Sequence, residues 1–194
     1  RTLLDEKASD PALRSGAGRT WLELGRIYTM LGDPRAQRAF ESAVALLEDV
    51  PADHLTDPNW LLPLTDAHHD LAYFLLSFSE ASPPESSARE AIRLATQVAR
   101  LVPDESVNRL KVARCWNLLG LLLQDGDFEA SRKAHQAALT ITEQLVAEFP
   151  EDTRYRGELS RACLGLGVRL CVMGREKEGE QLLRRAELDH HAVG

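Results

Sequence analysis

The stretch Trp21-Leu-Glu-Leu-Gly-Arg-Ile-Tyr28 decides the fold, because its large apolar residues recur at helical spacing around a Leu-Gly pair. A Leu followed by Gly or Ala returns in three later apolar segments, at intervals of 47, 48 and 47 residues; the four pairs are Leu24-Gly25, Leu71-Ala72, Leu119-Gly120 and Leu166-Gly167. Near-constant spacing of this kind indicates an internal repeat. We expect the small residue of each pair to let two helices approach closely.

Prolines and glycines divide the chain between these pairs. Helical segments stop near Pro51, Pro103 and Pro150, because proline cannot continue the interior of a helix. A second break splits each repeat in two, at Gly32-Asp33-Pro34, residues 81–86, Gly126-Asp127 and Gly174-Arg175. Asp33 and Asp127 are predicted to cap the helices that follow them, and Gly174 suits a left-handed position. Ser87 and Glu90 have the spacing of a capping box.

These breaks predict an all-α fold of about four helix pairs. The eight helices are expected at residues 17–31, 34–49, 62–79, 86–102, 105–124, 128–148, 153–173 and 176–190. Residues 1–16 are interpreted as the tail of a preceding helix and a linker. The array then covers residues 17–190, in repeats of about 17–51, 60–103, 105–150 and 152–190, and residues 191–194 form a C-terminal tail.

The repeat resembles the tetratricopeptide repeat (TPR). Trp21-x-x-Leu24-Gly25-x-x-Tyr28 matches the first-helix pattern of that family, and Trp116-x-x-Leu119-Gly120-x-x-Leu123 repeats it with Leu in place of Tyr. The resemblance implies a right-handed superhelix that holds another protein. The period of 47 residues exceeds the usual one of about 34 and is similar to arrays attached to bacterial serine/threonine kinases and other signalling proteins. The segment from Phe149 to Leu159 has the strongest such likeness.

Composition excludes several other classes. The net charge of −7 argues against nucleic-acid binding, and no apolar run is long enough to span a membrane. The three cysteines, Cys115, Cys163 and Cys171, form no Cys-x-x-Cys motif and are expected to be reduced and buried. The start of the chain shows no signal peptide. A cytoplasmic protein with neither a nucleic-acid nor a membrane partner is predicted.

No motif of an enzyme or of a cofactor site is present. The sequence lacks a Gly-rich phosphate loop, a nucleophile elbow and a His-Glu-x-x-His motif. His68 and His69 point about 100° apart on a helix, so they do not converge on one metal ion. We therefore predict no catalytic residue, no metal site and no cofactor.

Two groups of tryptophans are interpreted differently. Trp21 and Trp116 occupy equivalent positions in their repeats, with Cys163 at the corresponding place in the last repeat, and are expected to share a core packing role. Trp60 lies in an insertion between the first two repeats. It either packs there or stands exposed for a partner, and packing is favoured.

The TPR resemblance also places a set of residues in a concave groove on the first helix of each pair. The predicted partner-binding residues are Arg19, Arg26, His69, Tyr73, Arg114, Asn117, Leu121 and Arg161, together with Leu22, Met30, Asp66, Gln124, Leu164 and Val168. Arginine forks and Asn117 would bind an acidic peptide, extended or helical. Equally open is that these arginines are solvated or paired with acids on the next repeat.

Two features narrow the expected function. Leu22 and Arg26 stand where the family's chaperone-binding carboxylate clamp needs Lys and Asn, so that activity is not predicted. The alternative to a peptide-binding scaffold is a self-associating array with no dedicated peptide ligand. It would oligomerise through its terminal repeats, where the last helix bears Leu182, Leu183 and Leu188.

Overall fold

The computed structural model describes residues 10–49, 54–78 and 85–191, and these ranges contain eight α-helices and no β-strand. We number them α1 (Pro11–Met30), α2 (Arg35–Glu48), α3 (Pro58–Phe78), α4 (Glu85–Leu101), α5 (Ser106–Leu122), α6 (Phe128–Glu148), α7 (Thr153–Val172) and α8 (Glu176–His191). The predicted all-α class is confirmed, and successive helices pack as pairs.

The helices form two compact units, divided between Leu101 and Val102. In unit 1, α1 packs on α2 and α3 on α4, while α3 also contacts both α1 and α2. Unit 2 repeats this scheme, with α5 on α6, α7 on α8, and α7 against both α5 and α6. In each unit, the first helix of the second pair, α3 or α7, therefore lies on the first pair.

Aspartates begin most of the helices for which a start is described. Asp10 accepts a hydrogen bond from the Ala12 backbone NH, and Asp127 accepts one from Ala130, each at 2.9 Å. Asp33 likewise accepts from the Arg35 backbone NH at 2.9 Å. These bonds satisfy amides that have no partner inside the helix. The predicted capping roles of Asp33 and Asp127 are confirmed.

Some glycines end helices, and others allow two helices to pack closely. Gly32 and Gly174 have φ of 66° and 78°, and they end the first helix of the first and last pairs in the left-handed conformation. Gly25 and Gly120 allow close approach, because an added Cβ would lie 2.5 Å from the Phe40 ring and 2.6 Å from the His135 ring. The role expected for the small residue after Leu is therefore confirmed in α1 and α5.

Each unit has its own apolar core. The core of unit 1 includes Leu22, Phe40, Leu47 and Leu71, and that of unit 2 includes Leu159 and Leu166 among other residues. Trp60 is buried and stacks on His54 with ring centroids 5.2 Å apart, so the packing interpretation of this residue is confirmed. Burial of side chains of this size supplies most of the stability of a small helical unit.

Several helix starts differ from the prediction. Helix α1 begins at Pro11 rather than at residue 17, so residues 11–16, predicted as part of a preceding tail and linker, belong to α1. Helix α3 begins at Pro58 rather than at 62 and contains Pro63. Asp10 and Asp57 supply the start signals that the apolar period alone did not show. Residues 1–9 and 192–194, predicted as tails, lie outside the described residues.

The predicted capping box and one predicted core residue are corrected. Helix α4 already includes Glu85, so Ser87 lies inside the helix and cannot be its N-cap. Trp21 is 39% exposed, whereas its counterpart Cys163 is buried and Trp116 packs partly against the core of unit 2. The reason is that no described helix packs over the outer side of α1.

None of the three cysteines forms a disulfide. Cys115 and Cys163 are buried, as predicted, and Cys171 is half-buried. Burial raises the pKa of the Cys163 thiol to about 11, which keeps it protonated and unreactive at neutral pH.

Candidate functional site

The predicted groove residues lie on the first helix of each pair, α1 and α3 in unit 1 and α5 and α7 in unit 2, except for Gln124, which follows the end of α5 at Leu122. We call the side of α1 and α3 that bears Arg19, Arg26, Asp66, His69 and Tyr73 the unit 1 face. We call the side of α5 and α7 that bears Arg114, Leu121, Arg161, Leu164 and Val168 the unit 2 face.

On the unit 1 face, carboxylates surround Arg26. Its Nε donates to Asp70 Oδ2 at 2.7 Å, its Nη1 contacts Glu23 at 2.7 Å, and its Nη2 lies 3.5 Å from Asp66. One guanidinium therefore faces three acids. The alternative in which groove arginines pair internally is the one that the structure shows for Arg26.

Asp70 is the central acid of this group. Burial raises the pKa of its carboxyl, but the hydrogen bond from His69 and the charge of Arg26 outweigh this effect, so the pKa lies below its usual value. The His69 Nδ1 lies 3.0 Å from Asp70 Oδ1. Tyr73 stands exposed one turn further along α3. Asp70 is thus an anion held by partners of its own unit.

Arg19 is also tied within unit 1. Its guanidinium donates to the Asn59 carbonyl at the start of α3. Leu22, predicted to line the groove, is instead buried in the core of unit 1. The unit 1 face is therefore mostly a set of internal polar contacts with Tyr73 and Met30 exposed beside it.

On the unit 2 face, one carboxylate holds two arginines. Glu158 is only 3% exposed, and its Oε2 accepts from Arg114 Nε at 3.1 Å and from Arg161 Nη1 at 2.6 Å. The side chains of Arg114 and Arg161 remain 47% and 68% exposed. The buried acid positions two guanidiniums but neutralises only one positive charge.

Exposed apolar side chains adjoin these arginines. Leu121 on α5 and Leu164 and Val168 on α7 all stand at the surface. Leu121 follows Arg114 by seven residues, as Val168 follows Arg161, which is two helical turns or about 10 Å. The unit 2 face therefore has a positively charged end and an apolar end.

Asn117 does not lie on this exposed surface, which corrects its predicted role as a groove hydrogen-bond donor. It is 7% exposed, and its Oδ1 lies 3.3 Å from the Nδ1 of the buried His135. Its Nδ2 has no hydrogen-bond partner among the described residues. Asn117 therefore orients an internal imidazole.

His135 is a titratable group that the sequence interpretation missed. Its ring lies between Gly120 and Gly165, where an added Cβ would approach within 2.6 and 2.5 Å of it. Burial, with a smaller contribution from the charge of Arg169, lowers the pKa of His135 to about 4. The ring is neutral at pH 7 and is part of the packing of unit 2.

Glu158 and Asp70 were the other residues missed, and a sequence signal for them exists. Arg26 pairs with Asp70, and Arg114 pairs with Glu158, in both cases 44 residues further along the chain. That separation is slightly shorter than the repeat, so it joins one first helix to the next. An acid 44 residues after a first-helix arginine would have indicated both pairs.

The described residues provide no other obvious chemistry. They contain no group of three metal-ligating side chains that could hold an ion. Among the described helices, none combines the length and apolar content needed to cross a bilayer. Comparison with known proteins found no family model that matches the chain and no curated protein with significant sequence similarity to it.

Proposed function

We propose that the chain is a protein-interaction module of the TPR type, a right-handed superhelical array of four helix pairs that binds an acidic, partly apolar peptide segment of another protein. The observation that supports it most is the pair of half-exposed arginines held by the buried Glu158 beside exposed apolar side chains. The chain would act as a scaffold or regulatory module, and not as an enzyme.

The arginine pair suits an acidic ligand because its positions are set before binding. The Glu158 carboxylate accepts one hydrogen bond from each guanidinium, while much of the Arg114 and Arg161 side chains stays exposed to solvent. A ligand carboxylate would meet donors whose conformational freedom is already reduced. The second positive charge, which Glu158 leaves uncompensated, favours an anion over a neutral group.

The apolar end of the unit 2 face supplies the second contact. The side chains of Leu121, Leu164 and Val168 are exposed to solvent on the unit 2 face. Burying such side chains against a ligand contributes roughly 25 cal/mol per Å² of apolar area removed from water. A peptide that places an acid about 10 Å from a large apolar residue would satisfy both ends.

The four helix pairs and their 47-residue period are the grounds for the TPR assignment and for a cytoplasmic, bacterial signalling setting. Two buried cysteines that form no disulfide, Cys115 and Cys163, fit a reducing compartment. The proposal needs no cofactor, metal ion, nucleic acid or membrane.

Selection from a display library of random peptides tests the proposal. We expect the full chain to enrich peptides that combine Asp or Glu with Leu, Ile or Phe, about three residues apart if the peptide is extended. The affinity of a selected peptide should fall when Arg161 is replaced by Gln, because one of the two guanidiniums that face the ligand acid is lost. The fold should be kept, because Arg114 still holds Glu158. The same loss is expected for Leu164→Asp.

Lys177→Gln is the matched control, since Lys177 is exposed on the first turn of α8 and lies off the unit 2 face. It removes one positive charge from unit 2 without touching the proposed site. Equal affinity in Arg161→Gln and wild type would contradict the proposal, and so would enrichment of basic or purely apolar peptides.

A further inference from the structure

Helix α1 has a second surface, on the side away from α2 and α3, with an apolar heptad pattern. The pattern consists of Leu13, Ala17, Thr20, Leu24, Ile27 and Leu31, separated by four and three residues in alternation. Leu13 is 54% exposed, Ile27 49% and Leu31 72%, while Leu24 is half-buried. Alternating spacings of four and three are the signature of a helix that packs along a second helix.

The equivalent register is buried elsewhere in the chain. The Leu-Gly pair of α1 begins at Leu24. The residues that precede Leu24 by 11, 7 and 3 positions are Leu13, Ala17 and Trp21. The residues at the same register are buried in α3 and α7, namely Trp60, Leu64, His68 and Leu71 in α3 and Tyr155, Leu159, Cys163 and Leu166 in α7. These residues pack α3 and α7 onto the preceding pair of their unit, and no described helix does so for α1.

The polar groups of this surface need no solvent. The Thr20 hydroxyl donates to the Gly16 carbonyl at 2.9 Å within the helix, and Arg14, at the edge, is paired with Asp49. Covering the surface would therefore leave the Thr20 hydroxyl bonded within the helix and the Nη1 of Arg14 paired with Asp49. What it would remove from water is mainly apolar.

The pattern is complementary to itself when a second α1 runs antiparallel. When the two-fold axis passes position 22 of both helices, Leu13 faces Leu31 of the second copy, Ala17 faces Ile27, and Thr20 faces Leu24. A small residue thus meets a large one at the inner two levels, as interdigitated packing requires. The arrangement also opposes the two helix dipoles.

We propose that this surface of α1 binds the same surface of a second copy of the chain, forming a two-fold symmetric antiparallel helix pair. Two-fold dimers are the commonest homo-oligomers, and they need one self-complementary patch. Association through the last helix is not favoured, because Glu180, Arg184 and Glu187 occupy the exposed side of α8 beside Leu188. A polar outer helix of this kind is typical of a cap. The proposal is independent of peptide binding on the unit 2 face.

Sedimentation equilibrium of the full chain tests the oligomeric state. We expect a species of twice 21.6 kDa. The double variant Leu13→Glu/Ile27→Glu should weaken dimerisation at least about 100-fold, because it buries charges in an apolar seam. Leu188→Glu, at an exposed leucine on α8, is the control and should leave the dimer unchanged. A monomer at all accessible concentrations would overturn the proposal, as would a dimer that survives the double variant or is lost in the control.

Disulfide trapping tests the geometry on a chain with an intact apolar seam, should the glutamates impair folding. Mixing an Ala17→Cys variant with an Ile27→Cys variant should give a cross-link between positions 17 and 27, because these positions face each other only in the antiparallel arrangement. The unsubstituted chain, with its three native cysteines, is the control. Cross-links between two copies of position 17, or none above the control, would overturn the antiparallel pairing.

Discussion

The unit 1 face and the unit 2 face lie on equivalent helices, but the ratio of carboxylates to guanidiniums is opposite in the two. In unit 1, one guanidinium, that of Arg26, is surrounded by the carboxylates of Glu23, Asp66 and Asp70. In unit 2, one carboxylate, that of Glu158, holds two guanidiniums. Both arrangements use a contact between residues 44 apart, which joins α1 to α3 in unit 1 and α5 to α7 in unit 2.

The comparison shows that an arginine on a first helix does not by itself indicate a ligand site. Arg26 is saturated by acids of its own unit, so an anionic peptide would have to displace them. Arg161 has more of its side chain in solvent and shares its acid with Arg114. The count of carboxylates per guanidinium, more than the presence of arginine, separates a structural cluster from a candidate binding surface.

A second difference lies beneath these faces. The side chain that fills the space left by the small residue is Phe40 in unit 1 and His135 in unit 2, each 15 residues after its glycine. Phe40 meets Gly25 on one side and packs near the Phe74 ring, whereas His135 lies between two glycines. Unit 2 therefore contains a titratable group at a site where unit 1 has a phenyl ring.

Acid should destabilise unit 2 through His135, which is the largest effect that we expect. The folded pKa of about 4 lies below the unfolded value of 6.5, so the stabilisation is present above pH 6.5 and is lost as the pH falls to about 4. The loss is about 3 kcal/mol. His135→Phe, which copies Phe40, should abolish it, as measured by urea unfolding of both proteins across this pH range.

Unit 1 offers an internal reference for this prediction. Burial lowers the pKa of His68, but Glu48, whose Oε1 lies 3.2 Å from the Nε2 of His68, opposes the shift. We expect native-state hydrogen exchange to show earlier acid opening in unit 2 than in unit 1. Parallel pH profiles for wild type and His135→Phe would contradict the role assigned to His135.

Gly120→Ala should destabilise unit 2 by about 2 kcal/mol, because the new methyl group meets a ring that cannot move away from it. An added Cβ at Gly165 approaches the same ring from the other side, at 2.5 Å. Gly25→Ala should cost less, because the Phe40 ring meets a glycine on one side only. Urea unfolding, with hydrogen exchange to assign the unit affected, measures both.

Gly157→Ala is the control for the glycine substitutions. An added Cβ there meets no atom within 4 Å, so the gain in helix propensity of about 1 kcal/mol should appear as stabilisation. Equal effects of Gly25→Ala and Gly120→Ala would show that the two-sided packing of His135 is unimportant.

Arg26→Gln should have a smaller effect, a loss of about 1 kcal/mol, because it leaves three carboxylates without their shared cation. The lowered pKa of Asp70 should rise toward its ordinary value, so the loss of stability that Asp70 causes in unit 1 as the pH falls should become smaller. Arg161→Gln should change stability by less than about 0.5 kcal/mol, since Arg114 still holds Glu158. Carboxyl NMR titration and urea unfolding check both variants, and equal losses would contradict the difference between the faces.

The sequence was sufficient for the parts of the structure that follow from local rules. The all-α class, the breaks before Pro103 and Pro150, the caps at Asp33 and Asp127 and the left-handed Gly174 were predicted, because each depends on neighbouring residues. The starts of α1 and α3 were missed because the aspartates that cap them precede the regular apolar pattern.

The candidate site was less predictable because burial and pairing depend on distant residues. Asn117 and Leu22 share the register of exposed groove positions, yet packing within each unit buries both. Trp21 shares the register of buried residues and is exposed, because no described helix covers it. Whether an arginine is paired depends on an acid 44 residues away, which a repeat alignment based on apolar residues does not show.

An NMR titration of the isotope-labelled chain with a selected acidic, apolar peptide tests the central claim most directly. The account predicts shift changes centred on Arg114, Leu121, Arg161 and Leu164, with Arg26 and His69 unaffected. Changes centred on the unit 1 face, or none on the unit 2 face under conditions where the peptide binds, would contradict it.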